Sequence, residues 1–240
     1  MEDFPDLSPS EQRLVEAITF RMNTMKEDLL RKIEAKDEII AKQGEEITVL
    51  KAAISRLEDK MDEEDSYVRR DTLLFSGKSL PVFSPRENTG EILRNLLRTK
   101  VDYSLPEESI SVAHRLGPAP TRGEDRRTII AKLCRRELKT DIRAAMKRTK
   151  PENLYVNESL TPVRRTIHYV LRKAREQFKE KISGISTYDG NICVYVKPNR
   201  SSRNSRDVKF IINTRQKLEQ FCRENLATPL STLYKGNWDK

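Results

Sequence analysis

The residues best suited to chemistry in this 240-residue chain are arginines and lysines that occur in pairs on one segment after another. A guanidinium group presents a planar fork of donors that binds two phosphate oxygens at once. A single basic pair is more often only a solvated surface, but pairs on successive segments favour a shared phosphate-binding surface. The candidate nucleic-acid-binding residues are Arg69, Arg70, Arg126, Arg127, Lys132, Arg135, Arg136, Lys147, Arg148, Arg164, Arg165 and Arg172.

The charge of the chain is divided unevenly along its length. The first 65 residues contain 18 Asp and Glu against 10 Lys and Arg, a net charge of −8, whereas the remaining residues carry a net charge of +17. Such asymmetry indicates that the C-terminal two-thirds meets a polyanion. RNA and single-stranded DNA are the expected partners, and an acidic protein surface is the alternative.

A catalytic or metal-binding set is not visible in the sequence. The two histidines, His114 and His168, have no second ligand at metal-binding spacing, and no nucleotide-binding loop or nucleophile elbow is present. The acidic run Asp62–Asp65 predicts a solvated face, because four consecutive helical side chains cannot converge on one ion. We therefore expect no enzymatic activity, no metal and no cofactor.

The cysteines and the termini indicate the compartment. The three cysteines are widely spaced, the N-terminus lacks the apolar core of a signal peptide, and no apolar run reaches the roughly 20 residues that span a bilayer. We therefore expect no membrane association and a cytoplasmic ribonucleoprotein, with the nucleus as an alternative.

Residues 11–66, which follow a tail expected to be disordered at 1–10, show the seven-residue periodicity of a coiled coil. Two apolar series form the seam, with Lys36 and Gln43 in two slots of the second. A lone amphipathic helix would leave this stripe exposed, so self-association is the stronger interpretation. The predicted oligomerisation residues are Leu29, Ile33, Ile40, Ile47, Leu50, Ile54, Leu57 and Met61.

Residues 67–158 alternate short strands with helices in the order βαββαβ, which is the arrangement of ferredoxin-like and RRM domains. The first and third strands of this order are central, and Phe75 is the one aromatic residue they contain, equally suited to a core or to a base-stacking position. Binding through the backbone, with weak sequence preference, is therefore expected. The predicted elements are Thr72–Ser76, Asn88–Lys100, Ser109–Arg115, Thr128–Leu133, Arg135–Lys147 and Leu154–Asn157.

Residues 159–226 predict a second, small α+β domain. Thr161 and Pro162 begin a helix that extends to about Lys181, and Asp189-Gly190 suits a tight hairpin turn. A basic loop at 197–207 carries Arg200, Arg203 and Arg206, and the tail at 227–240, with Trp238, has no clear pattern. The other predicted elements are strands Ile185–Tyr188, Asn191–Val196 and Val208–Ile212 and helix Asn213–Asn225, which an Asn213–Gln216 pair would cap.

Two segments carry a resemblance to a known family. Tyr67–Gly77 (YVRRDTLLFSG) and Asn157–Arg165 (NESLTPVRR) resemble the segments that open the two C-terminal domains in the first-open-reading-frame protein of LINE-type (long interspersed element) retrotransposons, also called the LINE transposase-like domain family. The order of coiled coil, RRM-like domain and small α+β domain resembles that family over about residues 15–225.

The resemblance implies a homotrimeric RNA-binding protein with nucleic-acid chaperone activity, which coats its own transcript beside a reverse transcriptase of the same element. It implies binding roles for Arg126 and Arg127, for Arg164 or Arg165, and for Lys147 or Arg148. The family's trimer motif has an arginine where this chain has Ala53, although Leu57 and Glu58 follow as expected, so a dimer remains open.

The expected fold class is therefore α+β, with a long N-terminal coiled coil, an RRM-like βαββαβ domain and a small α+β C-terminal domain. The expected function is that of a self-associating chaperone for RNA and single-stranded DNA, and the alternative is a coiled-coil adaptor for an acidic protein. We further expect Arg126 and Arg127 to meet Arg164 and Arg165 in one cleft.

Overall fold

The computed structural model describes residues 8–121, 123–198, 206–234 and 236. Seven of the ten residues of the expected N-terminal tail, Arg200 and Arg203 of the basic loop, and Trp238 lie outside the described residues. The chain divides into two compact units, Met1–Glu58 and Asp59–Lys240, and each is described by itself.

The first unit consists of helix α1, which spans Pro9–Arg69 and so continues into the second unit. Its start is capped by Ser8, whose backbone N–H and hydroxyl both donate to the Glu11 carboxylate, at 2.8 and 2.6 Å. The eight predicted oligomerisation residues are 49% to 69% exposed in the single chain. Among the residues that the structure describes, no helix is both long and apolar enough to cross a membrane.

The second unit begins with the elements β1 Thr72–Ser76, α2 Thr89–Val101, a 3₁₀ turn Glu107–Ser109, β2 Ile110–Arg115, β3 Ile129–Leu133, α3 Arg136–Thr149 and β4 Tyr155–Glu158. The strands form a four-stranded antiparallel sheet in the order β2-β3-β1-β4. Alternate residues of the central strands point inward, and helices α2 and α3 contribute to the same core through Leu93, Leu97 and Ile142. Phe75 is only 1% exposed, so it is a core residue and not a base-stacking platform.

The elements that follow are α4 Pro162–Gln177, β5 Ile182–Tyr188, β6 Asn191–Val196, β7 Val208–Ile211, α5 Arg215–Phe221, a π-helical turn Cys222–Leu226 and α6 Leu230–Leu233. Their strands form a three-stranded antiparallel sheet in the order β5-β6-β7, with its own core. Helix α4 buries Ile167 and Leu171 against Ile192 of the sheet and Leu218 of the following helix. Over the described residues the fold is therefore α+β, with one long N-terminal helix followed by two antiparallel sheets.

Three predicted boundaries in this part are wrong: the end of α4, the start of β5 and the start of α5. Helix α4 ends at Gln177 because the chain turns at Phe178, whose carbonyl accepts from Ile182 N–H and starts β5 three residues early. Helix α5 is capped by Thr214, which accepts from Lys217 N–H. Asn213 instead accepts from Ile192 N–H at 3.1 Å and donates to Asn191 at 2.6 Å, so its side chain joins the sheet.

Candidate nucleic-acid interface

The predicted binding residues fall into two groups according to what their side chains contact. Five have exposed side chains that make no hydrogen bond or ion pair with another described residue, so these side chains are available to an external anion. These are Lys132, Arg135, Lys147, Arg165 and Arg172. His168, on the same helix as the last two, has a pKa lowered by burial and by the charge of Arg172, so this surface keeps its charge mainly through arginine and lysine.

Four others lie near the surface in weak ion pairs. Because exposed pairs contribute little and rearrange easily, these side chains remain accessible to phosphate. Arg69 pairs with Asp65 at 2.7 Å, and Arg148 pairs with Asp102 at 4.0 Å. Arg70 pairs with Asp71 at 3.9 Å, and the Arg70 guanidinium lies 3.4 Å from the centroid of the Tyr67 ring. Arg136 pairs with Asp71 at 3.6 Å and with Asp189 at 3.5 Å.

Arg126 and Arg127, which were predicted to bind nucleic acid, use their side chains to hold loops together. Arg127 binds both carboxylate oxygens of Asp125 at 2.8 Å and the carbonyl of Gly117 at 2.6 Å. The hydrogen bond from Arg127 lowers the pKa of Asp125. Arg126 donates to the carbonyl of Leu80 and, at 2.7 Å, to Glu124. In this structure the donor forks of both arginines are occupied.

Arg164 is the clearest correction to the predicted site. Its side chain is 6% exposed and pairs with Asp62, itself 11% exposed, at 2.7 Å. It also donates to the Ser66 hydroxyl at 2.6 Å and to the Gly190 carbonyl at 3.2 Å. Asp62 is therefore not part of a solvated acidic face, because the last turns of α1 pack against the start of α4 and the β5–β6 turn.

A second buried ion pair lies at the same junction. The Glu158 carboxylate accepts from Lys139 at 3.0 Å, from Arg143, and from the N–H groups of Asp189 and Gly190 at 3.0 and 2.9 Å. Gly190 has φ +78°, and a Cβ there would lie 2.4 Å from the Ser66 hydroxyl. The end of α1, the first sheet and the second sheet are thus joined by charged groups that sequence reasoning did not connect.

The strand register separates the two arginine pairs that were expected in one cleft. The start of β3, two residues after Arg127, pairs near the end of β1 (Ile129 with Phe75), whereas the end of β4, six residues before Arg164, pairs near the start of β1 (Glu158 with Leu73). At ~3.3 Å for each of its four residue steps, the two ends of the five-residue strand β1 are about 13 Å apart. The single cleft is therefore wrong.

The unpaired cations show where a nucleic acid has most access. Lys132 pairs across Thr72 at the start of β1, Arg135 follows the end of β3, and Arg165 lies in the first turn of α4 after the end of β4. These three residues therefore belong to one end of the four-stranded sheet, which we call the basic end. Arg172 extends it, because residues seven apart on a helix share a face.

Two exposed aromatic side chains were missed. Tyr169 lies between Arg165 and Arg172 on the exposed face of α4. Tyr155 pairs across Ser76 on the sheet face opposite Phe75, at the end of β1 away from the basic end. The alternation Leu154, Tyr155, Val156 and the four-residue step from Arg165 to Tyr169 were the signals that could have found them. Each ring can stack with an unpaired base.

A scan against protein-family models and a search of curated proteins both find no match to this chain. Among the described residues, no group of three or more His, Cys, Asp or Glu side chains is arranged to hold a metal ion. The assignment of a function therefore depends on the geometry and charge of the surface.

Proposed function

We propose that this protein associates with copies of itself through α1 and binds RNA and single-stranded DNA through its C-terminal two-thirds, as a nucleic-acid chaperone of the LINE first-open-reading-frame type. The carrying observation is the set of exposed, unpaired cations at the basic end. Two further observations support the proposal: the sheet has the strand order β2-β3-β1-β4, as a βαββαβ domain is expected to have, and the apolar stripe of α1 repeats every seven residues.

In this proposal the protein catalyses no reaction and works in a cytoplasmic ribonucleoprotein, with a reverse transcriptase of the same element as a further partner. Trimers are the expected assembly, and dimers are the alternative. A helix whose apolar residues are about half exposed along its length needs a partner of the same periodicity, which a second and third copy supply.

The alternative function is an adaptor that binds an acidic protein. The same cations would serve it, but an adaptor would have no reason to prefer single-stranded nucleic acid over other polyanions. Binding of a generic RNA of about 30 nucleotides in the presence of excess acidic polypeptide separates the two functions.

Binding is expected to depend steeply on salt and weakly on sequence. Contacts to ~5–8 phosphates of a single strand give a slope of roughly −4 to −6 in a plot of log affinity against log salt concentration. Replacing Lys132, Arg135 and Arg165 together with alanine removes three contacts and reduces the magnitude of the slope by roughly two units. Fluorescence anisotropy with a labelled RNA at several salt concentrations measures both slopes.

The matched control replaces three exposed and unpaired lysines outside the basic end, Lys100, Lys209 and Lys217, with alanine. It removes the same total charge, so a general effect of net charge would lower affinity equally in both triple variants. Equal slopes for the two variants would show that the basic end is not the binding surface, and a salt-independent affinity in the wild type would contradict the proposed function itself.

A further inference from the structure

The segment between β1 and α2 exposes an aromatic ring in a fixed position. Phe83 is 41% exposed, although its backbone N–H donates to the carbonyl of Asp125 at 2.7 Å. The neighbouring Pro81 carbonyl accepts from Arg115 at 2.9 Å. A large apolar side chain is therefore held at the surface by its own backbone contacts.

A buried ion pair anchors the same segment four residues later. Arg115 binds both carboxylate oxygens of Glu87, at 2.6 and 3.0 Å, and the two side chains are only 3% and 8% exposed. The hydrogen bond from Arg115 lowers the pKa of Glu87, although burial opposes this shift. The segment is thus tied down on both sides of Phe83, which reduces the entropy that a ligand would have to remove.

Two guanidinium groups lie beside the ring. The central carbon of Arg127 is 5.4 Å from the Phe83 centroid and that of Arg115 is 5.9 Å away, both within the range of cation–π attraction. Their ion pairs with Asp125 and Glu87 fix both arginines in place. By holding its loop, Arg127 therefore also helps to position the exposed Phe83 ring.

Arg86 occupies a backbone position that favours glycine. Residues 84–87 form a turn closed by a hydrogen bond from Glu87 N–H to the Ser84 carbonyl at 3.1 Å, with Pro85 second and Arg86 third. Arg86 has φ +69°, the left-handed value that a type II turn requires at that position. Its exposed side chain makes no hydrogen bond, ion pair or ring contact with another described residue. A left-handed conformation is costly for arginine, and Arg86 lies three residues after Phe83. The strain therefore indicates that the Arg86 side chain has a functional role.

We propose that residues 81–87 form a binding subsite for one nucleotide of a single strand, with the base stacked on Phe83 and its phosphate bound by Arg86. The subsite rests on the proposed function and makes it more specific, because stacking needs an unpaired base and so selects single strands over duplexes. The charge of Arg86, which forms no ion pair with a described residue, favours an anionic ligand with a flat ring over an apolar peptide, which lacks the phosphate.

The test uses the full chain and a labelled 20-nucleotide oligouridylate, with a duplex RNA of equal length for comparison. Phe83→Ala should weaken single-strand binding by about tenfold, within the range measured for loss of one stacked base, and leave the salt slope unchanged because stacking releases no counterions. Phe83→Trp should retain binding, and duplex binding should not change. Val82→Ala is the matched control, since Val82 is an adjacent apolar residue of similar exposure without a ring.

Arg86→Gly distinguishes a binding role from a structural one. Glycine adopts the left-handed conformation without strain, so the thermal midpoint should stay the same or rise, while the magnitude of the salt slope falls by about 0.7. If the wild type binds the single strand and both Phe83→Ala and Arg86→Gly bind it equally well, the subsite does not exist and the proposed function still stands. If the wild type itself does not bind, the proposed function fails first.

Discussion

Replacing Arg164 with alanine is expected to lower the free energy of unfolding by about 3–5 kcal/mol, the usual cost of removing one partner from a buried ion pair. The variant leaves the Asp62 carboxylate in a largely buried position without its counter-ion. It also removes the donors to the Ser66 hydroxyl and the Gly190 carbonyl. Urea unfolding of the full chain, followed by near-ultraviolet circular dichroism, measures the loss as a lower midpoint.

Arg165→Ala is the matched control, since it removes the same side chain one residue later on the same helix. Arg165 is exposed and unpaired among the described residues, so its loss should change stability by less than about 0.5 kcal/mol. The effects on RNA binding should be reversed. Arg165→Ala should reduce the magnitude of the salt slope, whereas the folded Arg164→Ala variant should keep the wild-type slope. Equal midpoints for the two variants would contradict the buried pair.

A double-mutant cycle isolates the contact itself. Asp62→Ala alone should also destabilise the protein, because Arg164 is then buried without its carboxylate. The variant with both substitutions should be more stable than the sum of the single losses predicts, by roughly 1–3 kcal/mol, since neither charge is left alone.

Local patterns predicted most elements of the second unit. The strand Thr72–Ser76 agrees residue for residue, and from Leu73 onward its positions alternate between buried and partly buried. Helix α4 begins where Thr161 and Pro162 indicate, with the Thr161 hydroxyl accepting from Arg164 N–H at 3.2 Å. Capping and periodicity act over three or four residues, so a sequence displays them directly.

Arg164 and Arg165 show why the candidate site was harder to predict. They are the same residue type, but Arg164 is three and seven positions before the buried Ile167 and Leu171, so the helix phase places it on the inner face. That phase was visible in the sequence. Its ionic partner was not, since Asp62 precedes it by 102 residues and no local rule connects the two.

The misplaced cleft has a similar origin in topology. In a βαββαβ sheet the third and fourth strands both run antiparallel to the first, so the start of the third and the end of the fourth lie at opposite ends. The predicted strand order already contained this separation. The acidic residues Glu124 and Asp125, immediately before Arg126 and Arg127, likewise indicated arginines that are neutralised within their own loop.

Replacing Ile40 and Ile47 with aspartate is expected to convert the assembled protein to a monomer at tens of micromolar. Both residues lie seven apart on the apolar stripe of α1, so a trimer would have to bury six carboxylates in its seam. Ile47 lies outside the compact unit that begins at Asp59, so the near-ultraviolet signal of the second unit should not change. Sedimentation equilibrium measures the mass, and a wild-type protein that is monomeric at these concentrations would refute the proposed assembly.

Val49→Asp, compared with the single variant Ile47→Asp, tests whether the seam is specific. Val49 is also β-branched and exposed, but it lies two positions after Ile47 and outside the seven-residue seam, so Val49→Asp should leave the assembly intact.

The loss of assembly in the variant with both Ile40→Asp and Ile47→Asp should also weaken RNA binding. Linked copies engage one long strand at a high effective concentration, so the monomer should bind a strand of about 100 nucleotides at least a hundredfold more weakly. On a strand that only one copy can occupy, the monomer and the wild type should bind alike, because the cations of the basic end are the same in both.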